Sequence, residues 1–358
     1  MKIHLQPSFF GEKERILTEH GDLRVSVFRY DSSVAALRVV SKRGEAVILP
    51  YQGQQIWSCC FDGRELAMKS MFGEPVQTQD YFSTYGGFFL HCGVTSIGVP
   101  SPGDTHPLHG ELPNAPYQSA YICCGEDEKG KYITIGGRYR HCVAFNYSYH
   151  ADPTVKIYES STVLDVSMVI TNNMKIPMDV NYLGHINFRP VDYARLVYSA
   201  PCDAEHVQVD VSVPWHIRTA VSAEDYLAFL NKLNADPALH HIVDPAALYD
   251  PQAVLTIKYH ADEAGLAHSL QIHPDGYAHY VSHRPDQLAQ VLRWIARSPD
   301  QDAMGLALPA IMAGDKAESG SITTLAAEGR MRFDMQMGLL NPAETKVIEQ
   351  KISAITGR

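Results

Sequence analysis

The dominant hydrophobic period along this chain is two. Val207-Gln208-Val209-Asp210-Val211-Ser212-Val213 alternates strictly, as does Arg330-Met331-Arg332-Phe333-Asp334-Met335-Gln336-Met337. Leu164-Asp165-Val166-Ser167-Met168 and Tyr132-Ile133-Thr134-Ile135 repeat the pattern over shorter spans. Alternation turns one row of side chains toward a core and the other toward water or a second layer, so each run predicts a strand. Gly, Pro, Asn and Asp clusters separate the runs, as between antiparallel strands. Helical spacing is local. Ser222 caps a predicted helix whose apolar positions are Tyr226, Phe229, Leu230 and Leu233. Leu288, Val291, Leu292 and Ile295 predict a second, starting near Pro285. Asn341-Pro342-Ala343-Glu344 supplies a cap, a first-turn proline and a capping-box acid for a C-terminal helix striped by Ile348, Ile352 and Ile355. All three are expected to pack on the surface of a sheet.

No repeat of roughly 20–50 residues recurs, which argues against a propeller or solenoid. No low-complexity linker divides the 358 residues. The sequence therefore predicts one domain over residues 1–358, all-β, a large antiparallel β-sandwich with a few peripheral helices.

Composition narrows the function classes. Apolar residues make up 45% of the chain, enough for a sizeable core. The net charge of −10 argues against nucleic acid, since phosphate binding needs a basic surface. The N-terminal Met1-Lys2-Ile3-His4-Leu5-Gln6-Pro7 lacks a signal-peptide core, and no apolar run approaches the ~20 residues that span a bilayer. A cytoplasmic protein with no membrane partner is expected, its oligomeric state left open. The seven cysteines include adjacent pairs but no CxxC, and read as reduced thiols rather than a disulfide framework or zinc site.

Two histidine segments carry the candidate chemistry. His109 lies in His106-Pro107-Leu108-His109-Gly110-Glu111, where prolines stiffen the loop and Gly110 permits a tight turn or close approach to a ligand. A fixed imidazole there can bond a hydroxyl or move a proton. His185 lies in the apolar run Asn181-Tyr182-Leu183-Gly184-His185-Ile186-Asn187-Phe188, with Asn187 on the same strand face. Burial would lower its pKa and a nearby carboxylate would raise it. Each has a plainer alternative: a turn-held loop histidine for His109, a satisfied core histidine for His185. His260, His268, His273, His279 and His283 lack the spacing of a helical zinc motif, and His240-His241 are adjacent rather than face-sharing. They read as surface or strand histidines, His260 and His283 being the best placed to line a pocket.

The order of short motifs adds to this. Tyr85-Gly86-Gly87-Phe88-Phe89-Leu90-His91-Cys92-Gly93 is followed by Pro107-Leu108-His109-Gly110 and then by His185-Ile186-Asn187-Phe188. In that order they resemble the galactose mutarotase (aldose 1-epimerase) superfamily, and more narrowly a poorly characterised branch of it. The resemblance runs from about Tyr51 to about Gly338. It implies a β-supersandwich with a concave pocket for a small-molecule carbohydrate, and chemistry that needs no metal and no cofactor. It implies His185 as the general acid on the ring oxygen and His109 as the histidine holding the sugar. A late-strand glutamate would take the anomeric proton. His91, His106, Glu111 and Asn187 become candidate sugar contacts, and Arg189 would suit an acidic sugar.

The chain departs from the pattern on the late strand. Leu308 precedes Pro309 where relatives carry glutamate, and leucine accepts no proton. Glu111, Asp302 and Glu318 are the candidate replacements. Two other readings stay open: a sugar-binding or sensing protein that has lost its base, and a metal-dependent isomerase or lyase using His106, His109, Glu111 and His185.

Overall fold

Alternation in the sequence becomes alternation of burial. Along Arg330–Leu340, Phe333, Met335 and Met337 are buried and the residues between them are not. The computed structural model describes residues 1–101, 103–247, 249–310 and 323–357. Two antiparallel sheets dominate it, of nine and twelve strands. The nine-stranded sheet runs from Lys2–His4 through Ser119–Asp127, Gly130–Val143, Tyr147–Tyr158, Val163–Asn172, Arg330–Leu340, Ala278–His283 and Ala267–Ile272 to Arg195–Tyr198. The main apolar core draws on both sheets, with Val25, Ile48 and Ile186 from one and Ile133, Val155 and Met335 from the other. The fold is thus the all-β sandwich that the alternation predicts.

The twelve-stranded sheet positions the site. From one edge its order is Val207–Val209, Ala253–Ile257, Val291–Arg297, Asp302–Pro309, Leu183–Phe188, Phe89–Cys92 and Ile56–Phe61, then the N-terminal meander. One face of it covers the inter-sheet core. The other carries a separate cluster that includes Tyr81, Tyr85, Leu90, Leu183 and Ala307, with Trp294 against it.

Helix Ala223–Ala235 is capped by Ser222, and helix Pro342–Thr356 by Asn341 in a full capping box, both where the sequence places them. The helix expected around Leu288 to Ile295 is instead strand Val291–Arg297. Val291 and Ile295 fit a helical stripe, but they also fit a two-residue period once Arg293 is counted as an inward residue. A buried arginine hid the alternation. The run from Val207 is a strand only to Val209, after which Val211 and Val213 are exposed and the chain leaves the sheet.

Other expectations need adjustment. His268, His279 and His283 are strand histidines, and they and His273 are buried rather than at the surface; Asp262, Tyr280 and Gln271 bond two of them inside. His260 alone of that stretch is exposed. The cysteines form no disulfide among the described residues; Cys59, Cys92 and Cys124 are buried, whereas Cys142 is exposed. No described helix is long and apolar enough to cross a membrane.

Candidate functional site

His185 stands in the middle of the twelve-stranded sheet, opposite Leu90 on one neighbour and Ala307 on the other. Directly paired residues share a face. His185 therefore projects with Ala307 away from the inter-sheet core, while Gly184 and Ile186 point into it. The opposite-face rule also locates Leu308. It pairs with Gly184, is fully buried, and packs in the inter-sheet core with Met335. The late strand turns Ala303, Gly305, Ala307 and Pro309 to that other face, where Ala307 lines the pocket, so a glutamate at 308 would not reach it in this register.

His109 is brought alongside by its loop. Its φ of 57° is left-handed, uncommon for a residue with a side chain, and Gly110 follows at 79°. The strained turn is held by backbone bonds from His109 N to Gly98 O (3.0 Å) and from Gly93 N to His109 O (2.8 Å). Strain of this kind concentrates at functional sites. The His109 and His185 rings lie edge to face with centroids 5.7 Å apart. Tyr81 packs on His109 at 5.0 Å and Trp294 on His185 at 5.5 Å.

Burial lowers both imidazoles, His109 to about 3 and His185 to about 4, so both are neutral at pH 7. For His109 the nearby His185, His216 and His106 add to the effect. Nδ1 of each is buried without a partner. They are poised to exchange hydrogen bonds with a polar ligand rather than to carry charge.

These rings line a cavity of about 350 Å³, within the usual size of a small-molecule site. Aromatic rings dominate the lining: Tyr81, Phe82, Tyr85, Trp215 and Trp294, with His216 stacked on Phe82. Trp215 is 73% exposed, which is unusual for so large an apolar group. Trp294 is fixed by a bond from its Nε1 to Gln252 Oε1 at 2.8 Å. Asp210 is the only carboxylate among the described lining residues. It lies beyond the end of the edge strand, with its N–H bonded to Val254 O, on the cross-strand row that runs through Trp294 and Gly305 to Asn187. Four strand spacings make that row roughly 19 Å long in a flat sheet. Asp210 and the histidines therefore stand on opposite walls.

The other expected contacts are committed elsewhere. Asn187 shares the His185 face, but its Oδ1 accepts from Tyr85 Oη (3.2 Å) and its Nδ2 donates to Gly87 O (2.9 Å). It positions Tyr85. His91 points into the inter-sheet core, where it bonds Tyr182 Oη at 2.7 Å. Glu111 accepts from Val94 N, Thr95 N, Thr95 Oγ1 and Tyr149 Oη, which makes it the clasp of the His109 loop. His106 bonds the adjacent Pro107 carbonyl and is not a lining residue. Arg189 is exposed and bonds Ala67 O. Asp302 is paired with Arg297 at 2.9 Å, and Glu318 lies outside the described residues. The donors named for a metal site are thus not gathered, and no group of three or more potential ligands occurs among the described residues. The alternating run of the sequence held Asp210, but strict alternation disguised a pocket wall as strand. Pro214-Trp215-His216 was the available signal.

Comparisons with known proteins agree on the architecture. A family model described as a domain of unknown function, DUF4432, matches residues 31–191. No curated protein matches. The chain superposes on a candidate aldose 1-epimerase from Klebsiella pneumoniae with TM-score 0.79 at 16% identity, covering 97% of this chain and 92% of that one. A galactose mutarotase-like protein from Clostridium acetobutylicum aligns at TM-score 0.57 and 11% identity, over 90% and 100% of the two chains. A Lactobacillus casei protein of the same description gives 0.52 and 14%, over 85% and 100%. At these identities the likeness is one of fold: the chain has the galactose mutarotase-like β-sandwich.

Proposed function

We propose that this protein is an aldose 1-epimerase-like enzyme that interconverts the anomers of a small sugar or sugar derivative. The observation that carries the reading is the pairing of His109 and His185, ring to ring, on one wall of an aromatic pocket whose other wall holds Asp210. Aromatic faces suit the apolar faces of a sugar ring, and the few polar groups fix its orientation. Fold alone would not license this, since one fold hosts many functions.

In this mechanism Asp210 takes the proton of the anomeric hydroxyl. The ring C–O bond breaks as His185, protonated when the sugar binds, delivers that proton to the ring oxygen, leaving an open-chain aldehyde and a neutral imidazole. Rotation about the bond beside the carbonyl presents its other face. Reversal of both proton transfers closes the ring as the other anomer and restores the enzyme. His109 holds the sugar against Trp294. The acid and base must flank the anomeric centre, so in this mechanism the exposed segment that carries Asp210 closes over the bound sugar toward His185.

Magnetisation-exchange NMR on a panel of aldoses tests this. Anomer exchange should accelerate with the protein, disappear with His185→Ala, and slow at least a hundredfold in kcat with Asp210→Asn while KM changes little. Binding without acceleration would favour the second reading, a carbohydrate-binding protein. That reading draws on the absence of any carboxylate on the pocket face of the Asp302–Pro309 strand.

A further inference from the structure

Two histidines outside the pocket face each other at the sheet edge. His206 directly precedes the edge strand Val207–Val209, and His260 follows that strand's neighbour, Ala253–Ile257. Their Nε2 atoms lie 3.1 Å apart, with ring centroids at 4.9 Å and planes at 75°. Backbone bonds hold both residues to the sheet. Lys258 N donates to His206 O at 2.9 Å, and His260 N donates to Ser199 O at 2.6 Å.

Asp203 sets the tautomer of His206. Its Oδ1 accepts from His206 Nδ1 at 2.7 Å, and from the backbone N–H groups of Glu205 and His206, each at 3.1 Å. A neutral His206 with its proton on Nδ1 carries a lone pair on Nε2. A carboxylate behind an imidazole is the arrangement that orients a metal-binding histidine.

The ring positions fit two ligands of one ion better than a hydrogen-bonded pair. A straight N–H···N bond of this length would set the ring centroids roughly 5.4 Å apart. An ion about 2.0–2.1 Å from both nitrogens would tilt each ring by roughly 40° and bring the centroids to about 4.8 Å. The observed 4.9 Å matches the second arrangement. Such an ion sees the two nitrogens at roughly 100°, between the square and tetrahedral angles. His260 is exposed, so its Nδ1 can carry the ring proton toward water while its Nε2 lone pair turns to the ion. Among the described residues no third side-chain ligand joins them, which leaves the other positions to water.

We propose that His206 and His260 form a binding site for one divalent transition-metal ion, held through their two Nε2 atoms, with Asp203 as the positioning residue. Imidazole ligands favour the late first-row ions, copper(II) above nickel(II) and zinc(II). The ion fastens a three-residue edge strand to its neighbour, at the end opposite Asp210. Neither histidine lines the sugar pocket, so the site is independent of that chemistry.

Titration of the untagged full chain with copper(II) or zinc(II) sulfate in a non-coordinating buffer tests this. One equivalent should bind saturably, copper the more tightly, and raise the thermal midpoint. His260→Ala should remove that equivalent, and Asp203→Asn should weaken it at least tenfold. Crystals soaked in zinc sulfate should show an anomalous peak between the two Nε2 atoms, an arm that uses the unaltered chain. An unchanged titration in His260→Ala, or no zinc peak at this position, would overturn the proposal.

Discussion

At the scale of single residues, the neighbours Ala307 and Leu308 differ only in the face they occupy, and that difference decides what each does. Leu308→Ala should cost about 2–5 kcal/mol of stability, as a large-to-small change in a packed core, and leave sugar binding intact. Ala307→Phe should do the reverse, filling the pocket and removing binding with little change in stability. Urea unfolding and calorimetric titration with the preferred sugar separate the two; equal stability losses would mean the strand register is wrong. Leu308→Glu should unfold the protein rather than supply a base, because it buries an unpaired carboxylate. His185 and its apolar strand were legible in the sequence because a polar residue among apolar ones stands out. The facing of Leu308 is not legible there, because short motifs carry order but not facing. Asn187, His91 and Glu111 were noticed as polar groups near the motifs, but their partners, Tyr85, Tyr182 and Thr95, lie far off or on other loops. Spacing along a chain does not reveal which hydrogen bonds are already spent.

At the scale of elements, the His109 loop is the part with least tolerance. A methyl group on Gly110 would lie 2.3 Å from Ser96 O and 2.7 Å from Gly93 O, backbone atoms that cannot yield cheaply, at a φ of 79°. Gly110→Ala should therefore displace His109 and cut turnover at least tenfold, with a modest fall in thermal midpoint measured alongside. Turnover unchanged would show that the turn does not set the histidine. Helix ends were legible from caps, since Ser222 and Asn341 act through local bonds. Strand Val291–Arg297 was not, because its alternation runs through a charge. The pocket wall at residues 210–217 was not, because alternation describes side chains and says nothing of whether a neighbouring strand is there to pair.

At the scale of the whole molecule, buried neutral histidines tie stability to pH. An unfolded-chain histidine binds its proton near pH 6.5; in the fold, His185 and His273 bind it near 4, and His91, His109, His240 and His283 near 3. The unfolded state thus takes up protons first. Stability is whole above about pH 6.5 and falls as pH drops toward 4, by about 3 kcal/mol from His185 alone. Urea midpoints measured from pH 7.5 to 4.5 should fall steeply, with several protons taken up on unfolding near pH 5. A flat profile would mean these rings are solvated. The core that makes this chain sensitive to acid does not reach every part of the site. Asp210 hangs from Val207–Val209, the last strand at an open edge, while both histidines are set by the middle of the sheet and its clasped loop. Residues 210–217 can therefore be exchanged as a cassette, and selection acting on that one segment could change what the pocket accepts while the rest of the sandwich stays as it is.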